Sequence, residues 1–179
     1  MGDPVESPLL YIFAPHFQTM AETTVPTVIR IATSRDLPAV YALIKELAIF
    51  ENEPDEPTNS LEEFIEDGTS APPRYHVILA EQDHEVVGIA LYYLGYSTWK
   101  GNMMYLDDLV VKENVRRHGI GQLLFQSLIA AAREHGVHQL RWHVLDWNEP
   151  AIRFYEKIGA ALDSNWITCK LEKDKLYLS

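Results

Sequence analysis

Three groups of residues in this chain carry chemistry: adjacent acids Asp107 and Asp108, a basic glycine-containing turn Arg116-Arg117-His118-Gly119-Ile120-Gly121, and Tyr155 in an amphipathic stretch after Asn148-Glu149-Pro150. The acids stand inside Tyr105-Leu106-Asp107-Asp108-Leu109-Val110-Val111, a run rich in branched apolar residues that reads as a buried strand. After the turn, Leu123, Leu124, Leu128 and Ile129 recur at helical spacing, with Gln122, Gln126 and Arg133 on the other face. Strand, bare-backbone turn and helix N-terminus in that order form an anion site. The first amides of the helix lack intrahelical partners, its dipole adds positive potential, and glycines let a ligand approach the backbone. Two nucleotide patterns are not met: a dinucleotide fingerprint needs Gly or Ala where Leu124 stands, and no Lys-Ser or Lys-Thr follows the glycines.

The elements that position these groups follow from patterning. At 179 residues and 47% hydrophobic content, the chain is long enough for one domain with a core. A strand is predicted at 27–32, then a helix with Leu37, Val40, Leu43, Ile44 and Leu47 on one face, ending near Phe50, with capping residues in Thr33-Ser34-Arg35-Asp36. An acidic, proline-rich loop, 51–59, leads to the capping box Ser60-x-x-Glu63. Strands at 75–81 and 85–96, joined by a short turn, are antiparallel. The strand 139–145 returns through a helix and should lie parallel to the Asp107 strand. Asn148 and Pro150 open a helix carrying Ala151, Ile152, Phe154 and Tyr155, and strands at 162–171 and 175–178 finish the chain.

Composition limits the partners. A net charge of −11 argues against nucleic acid and suits either simple solubility or a cationic substrate. One cysteine excludes an internal disulfide framework and fits a reducing, cytosolic setting. Residues 1–27 contain the apolar run Leu9–Ala14, too short to span a membrane and preceded by acids rather than the basic residues of a secretory signal. They are taken as an extension that docks on the domain or on a partner. The seven histidines show no metal-ligand spacing, so no metal is expected.

The turn Arg116–Gly121 resembles motif A of the GNAT N-acetyltransferases, Arg/Gln-x-x-Gly-x-Gly/Ala, and 147–160 resembles their motif B. The resemblance implies an α/β (α+β) fold for residues 28–179: a mixed, mostly antiparallel sheet of six to seven strands, about four flanking helices, and a V-shaped cleft between two parallel strands. It also implies acetyl-CoA as co-substrate, held by Leu109, Val110, Val111, Arg116, Arg117, His118, Gly119, Ile120, Gly121, Gln122, Asn148 and Ala151. By the same resemblance, a backbone N–H of Leu109–Val111 polarises the thioester oxygen, Asn148 bonds the pantetheine arm, and Tyr155 protonates the departing thiolate.

The segments 43–51, 92–93, 96–101, 105–108 and 144–148 extend the resemblance to the diamine acetyltransferases, which include spermidine/spermine N1- and thialysine N-epsilon-acetyltransferases. Phe50 and Glu51 would then contact the acceptor. An alkylammonium, with a pKa of about 10, needs a proton acceptor before it can attack, and Asp107 or Asp108 is the candidate. In a regular strand they point to opposite faces, so only one can face the cleft. Alignment with the family's acidic position favours Asp107, as base, through water, or as a cation-binding group. The stretches 97–101 and 145–148 are closer to the thialysine branch, and Ser97 and Ser164-Asn165 stand where polyamine enzymes usually carry acids. A small primary amine of the thialysine or lysine type is therefore expected, with polyamines second and a non-catalytic CoA-binding module as a third reading. The family usually forms homodimers, and one is expected here.

Overall fold

The computed structural model of the chain describes residues 25–171 and 173–176. Residues 1–24 of the predicted extension, and 177–179 at the end of the last predicted strand, lie outside the described residues. The sheet runs in chain order, β1 (Val28–Ile31), β2 (His76–Gln82), β3 (Glu85–Ser97), β4 (Gly101–Val111) and β5 (Gln139–Arg141). The first three junctions are antiparallel and β4–β5 is parallel. Asp83 and His84, with φ of 48° and 65°, supply the two left-handed residues that a tight β2–β3 hairpin needs.

Helices cover both faces. On one side, α1 (Leu37–Phe50) and α2 (Leu61–Thr69) pack Leu37, Val40, Leu43 and Phe64 against Val77, Leu79, Ile89, Leu91 and Val110. On the other, α3 (Ile120–Glu134) and α4 (Glu149–Lys157) pack Ile120, Leu124, Leu128 and Tyr155 against Ile78, Ala90, Met104 and Leu106. Burial on both faces explains why β2 and β3 read as nearly continuous apolar runs. The α3 contact is close: a Cβ at Gly88 of β3 would lie 2.9 Å from the Val110 carbonyl oxygen and 3.1 Å from Leu124 Cδ1.

Two expectations are corrected. Asp36 takes the N-cap position of α1 without capping it. Its carboxylate instead accepts two 2.8 Å bonds from Arg30 and one of 2.7 Å from the Thr33 amide, which hold it well below the usual carboxylate range. The sheet has five strands among the described residues, not six or seven, because 162–171 forms no ladder and Lys173–Leu176 is a short helix, α5. Alternating apolar residues make a strand only where a neighbour satisfies the backbone, and β5 forms a ladder over just three residues. Trp166 and Ile167 consequently stay exposed.

Leu124 is fully buried at the centre of the α3 face. Leu124→Ala should lower unfolding free energy by about 2–5 kcal/mol in urea titration, and a loss under 1 kcal/mol would mean that α3 does not anchor the sheet.

Candidate active site

The site begins where two strands separate. Parallel pairing covers Met103↔Gln139, Met104↔Leu140 and Tyr105↔Arg141, then stops, while β4 continues to Val111 along β3. Past Tyr105, one edge of β4 is left without a strand partner among the described residues, and Leu109, Val110 and Val111 lie on this stretch. This is the expected cleft, and it starts at the acids.

Register decides where those acids point. Leu91 pairs with Asp108 and Tyr92 with Leu106, so Asp107 is an extra residue in β4, a β-bulge. Met104 and Leu106 face the α3 core, and beyond the bulge so do Leu109 and Val111, while Val110 faces α1. Tyr105 and Asp107, alternating with Leu106, and Asp108, alternating with Leu109, therefore all project to the α1 side. The expectation that only one acid can face a given cleft is overturned: the inserted residue puts both on one face. Glu51, next after the end of α1, completes the group, since both its charge and that of Asp107 are felt at Asp108. Burial, with Asp107 and Glu51 adding repulsion, pushes Asp108 up to about 7. Burial also raises Asp107 and Glu51, the nearby His143 partly opposing the shift at Asp107. Asp108 drawn out of water beside Asp107 and Glu51, with no lysine or arginine paired to any of the three among the described residues, favours a cationic ligand.

The anion turn lies on the other flank. A 3-10 turn, Glu113–Val115, is followed by Arg117 and Gly119, both left-handed with φ of 67° and 81°, and Gly119 is the N-cap of α3. The first α3 bond is Leu123 N–H to the Gly119 carbonyl, so the amides of Ile120, Gly121 and Gln122 have no partner within the helix. Packing does not demand bare backbone here: a Cβ at Gly119 meets nothing within 4 Å, and one at Gly121 meets only Val111 Cγ2 at 3.9 Å. The backbone at both glycines is open to a ligand. Arg116 braces the turn, its Nε donating to the Val111 carbonyl at 2.8 Å and its guanidinium lying 5.3 Å from the Phe50 ring centre. His118 Nδ1 is 3.2 Å from the Val115 carbonyl oxygen. Phe50 also meets Trp147, centroids 5.7 Å apart, so it joins α1 to the turn and to the segment before α4.

Tyr155 is buried among Phe125, Trp142 and Phe154 on the α3 side, and burial pushes its hydroxyl up to about 12. Asn148 caps α4 by accepting a 3.3 Å bond from the Ala151 amide, and its side-chain NH2 makes no hydrogen bond among the described residues. The acids and Tyr155 thus lie on opposite faces of the sheet at the strand separation.

Sequence reasoning missed the floor of the acidic side. Tyr93 stacks on Tyr105 with centroids 5.1 Å apart, and the Tyr105 hydroxyl hydrogen-bonds His143 Nδ1. The available signal was alternation in β5 and beyond: Leu140, Trp142 and Val144 pack toward α3, which sends Arg141 and His143 toward the acids.

Residues 38–160 match the Acetyltransferase (GNAT) family, and the chain belongs to that family. It is 40% identical over 140 residues to a thialysine N-epsilon-acetyltransferase of Bos taurus, covering 74% of this chain and 82% of the relative. A spermidine/spermine N(1)-acetyltransferase-like protein 1 of Homo sapiens is 28% identical over 158 residues, covering 83% of this chain and 23% of that one. In fold, the chain is similar to an aminoglycoside acetyltransferase from an uncultured soil metagenomic sample, with TM-score 0.69 and 18% identity, covering 82% and 95% of the two chains. The protein is an acetyltransferase for an amine, in a family whose acetyl donor is acetyl-CoA. No helix among the described residues is long and apolar enough to cross a membrane.

The raised Asp108 makes stability depend on pH. Between about pH 4 and 7 the unfolded carboxyl ionises while the folded one keeps its proton, so its contribution falls as pH rises and levels off above 7. Asp108→Asn should therefore stabilise the protein at pH 8 by about 1–3 kcal/mol, with no gain near pH 4. Urea unfolding at both pH values checks this, and an equal effect at the two would remove the buried charge as its cause.

Proposed function

We propose that this acetyltransferase acts on the primary amine of a small cationic acceptor of the thialysine or lysine type, by direct attack while amine and acetyl-CoA are both bound. The observation that carries the reading is the β4 bulge, which turns Asp107 and Asp108 to the α1 side with Glu51, while the anion turn flanks the same stretch of β4.

Acetyl-CoA supplies the acetyl group as a thioester. The amides of Ile120, Gly121 and Gln122, with Arg116, Arg117 and His118 around them, would hold its pyrophosphate, and Asn148 and Ala151 would lie along the pantetheine. An N–H of the Leu109–Val111 stretch donates to the thioester oxygen as negative charge grows there. On the other side, Glu51 and Asp108 draw in the ammonium, and Asp107 takes up its proton, freeing the nitrogen lone pair. Tyr155 returns a proton to the departing sulfur, a role suited to a hydroxyl that burial keeps protonated.

The preference for a small amine over polyamines rests on the relative at 40% identity and on Ser97. The Ser97 hydroxyl accepts from the Trp99 and Lys100 amides at 3.3 and 3.2 Å, serving the β3–β4 turn where an acid would attract a second cation. A homodimer and a cytosolic setting belong to the same proposal. The exposed Trp99 and Trp166, edge to face at 6.3 Å, support the first, and the unpaired Cys169 supports the second.

CoA release from acetyl-CoA should be fastest with thialysine and lysine, slower with ornithine, putrescine, spermidine and spermine, and about 100-fold slower in kcat for Tyr155→Phe on the best amine. An acetyl-CoA thermal shift without turnover of any amine would replace this reading with a CoA-binding module.

A further inference from the structure

The acidic side of the cleft ends in a cation. Arg141 closes the β4–β5 ladder opposite Tyr105, and it lies on the face that carries His143 and the acids, because Leu140 and Trp142 pack the other way. It is exposed, and among the described residues its side chain makes no ion pair or hydrogen bond. As the parallel-ladder partner of Tyr105, it shares that residue's side of the sheet, at the Tyr105 end of this floor.

We propose that Arg141 is the residue that reads the α-carboxylate of an amino-acid acceptor, so that the pocket selects lysine-like amino acids over amines lacking a carboxyl group. This rests on the amine-acceptor reading above and deepens it. The distances agree. Because Asp107 is the bulged residue, Asp108 pairs only two β3 residues beyond Tyr93, the partner of Tyr105, about 7 Å along the strand from the Tyr105–Arg141 pair, with Asp107 between them. In an extended lysine-type side chain, six bonds from the terminal nitrogen to the carboxyl carbon cover about 7–8 Å. The amine at the acids then brings the carboxylate level with Arg141, and the aliphatic chain crosses the stacked rings of Tyr93 and Tyr105.

The charges agree as well. Asp107, Asp108 and Glu51 stand at one end of the pocket and Arg141 at the other, a polarity that matches an amine at one tip and a carboxylate at the other. A polyamine places a second cation near Arg141 and is repelled. A planar guanidinium can donate two parallel bonds to a carboxylate, which makes Arg more selective here than Lys.

The test compares thialysine with bis(2-aminoethyl) sulfide, the same chain with hydrogen in place of the carboxyl group, by CoA release from the full chain. The unaltered protein should favour thialysine by about 10–100-fold in kcat/KM, the range of a charge-assisted hydrogen bond. Arg141→Gln should shrink that ratio to within about threefold through the thialysine KM, and Arg141→Lys should restore part of it. A ratio near one in the unaltered protein, or a ratio unchanged in Arg141→Gln, would overturn the inference alone. No turnover of either amine by the unaltered protein would overturn the amine-acceptor reading and this inference with it.

Discussion

One extra residue in β4 governs the site. Without the bulge at Asp107, strict alternation would send Asp107 and Asp108 to opposite faces of the sheet, one toward α1 and one into the α3 core. With it, both acids reach the α1 side and β4 still delivers Leu109 and Val111 to the α3 core. The bulge lies just beyond the last β4–β5 pair, so the strand that carries the acids is also the one whose edge is left open. A bend, a released edge and a change of facing arise together from a single insertion.

The electrostatics follow from that geometry. Folding places Asp107, Asp108 and Glu51 in one group, Asp108 the most deeply buried, with no lysine or arginine paired to any of them among the described residues, an arrangement that suits a ligand bringing positive charge. The contrast with Arg30, Asp36 and Glu81 is instructive. There, similar acids are neutralised by a guanidinium at 2.6–2.8 Å, and the cluster ties β1 to β2 and to the start of α1. Paired charges tie strands together there, whereas Asp107, Asp108 and Glu51 have no lysine or arginine partner among the described residues.

Much of the fold was legible in the chain because periodicity reports burial directly. Leu37, Val40 and Leu43 marked the inner face of α1, and Gly119 and Gly121 marked the turn before α3. What stayed hidden depends on register between strands. The bulge is invisible in Tyr105–Val111 because the extra residue is extra only relative to β3. The strand at 139–145 shrank to 139–141 for a related reason: Trp142 and Val144 keep packing toward α3 after the ladder has ended. The segment 162–171 carries strand-like residues but pairs with no neighbour among the described residues. The turn was readable from local residue types, whereas Tyr93, Tyr105 and His143 were not, since their grouping is a cross-strand contact.

On the proposed function, the anion turn and the acidic group are two halves of one site that meet at the strand separation. Calorimetric titration with a conjugate in which an acetyl bridge joins the CoA sulfur to the side-chain nitrogen of thialysine tests it directly. Joining two groups that occupy adjacent half-sites makes the second contact intramolecular, so the conjugate should bind at least about 100-fold more tightly than CoA or thialysine alone. A conjugate that binds no more tightly than CoA would show that the pocket and the turn do not serve one reaction.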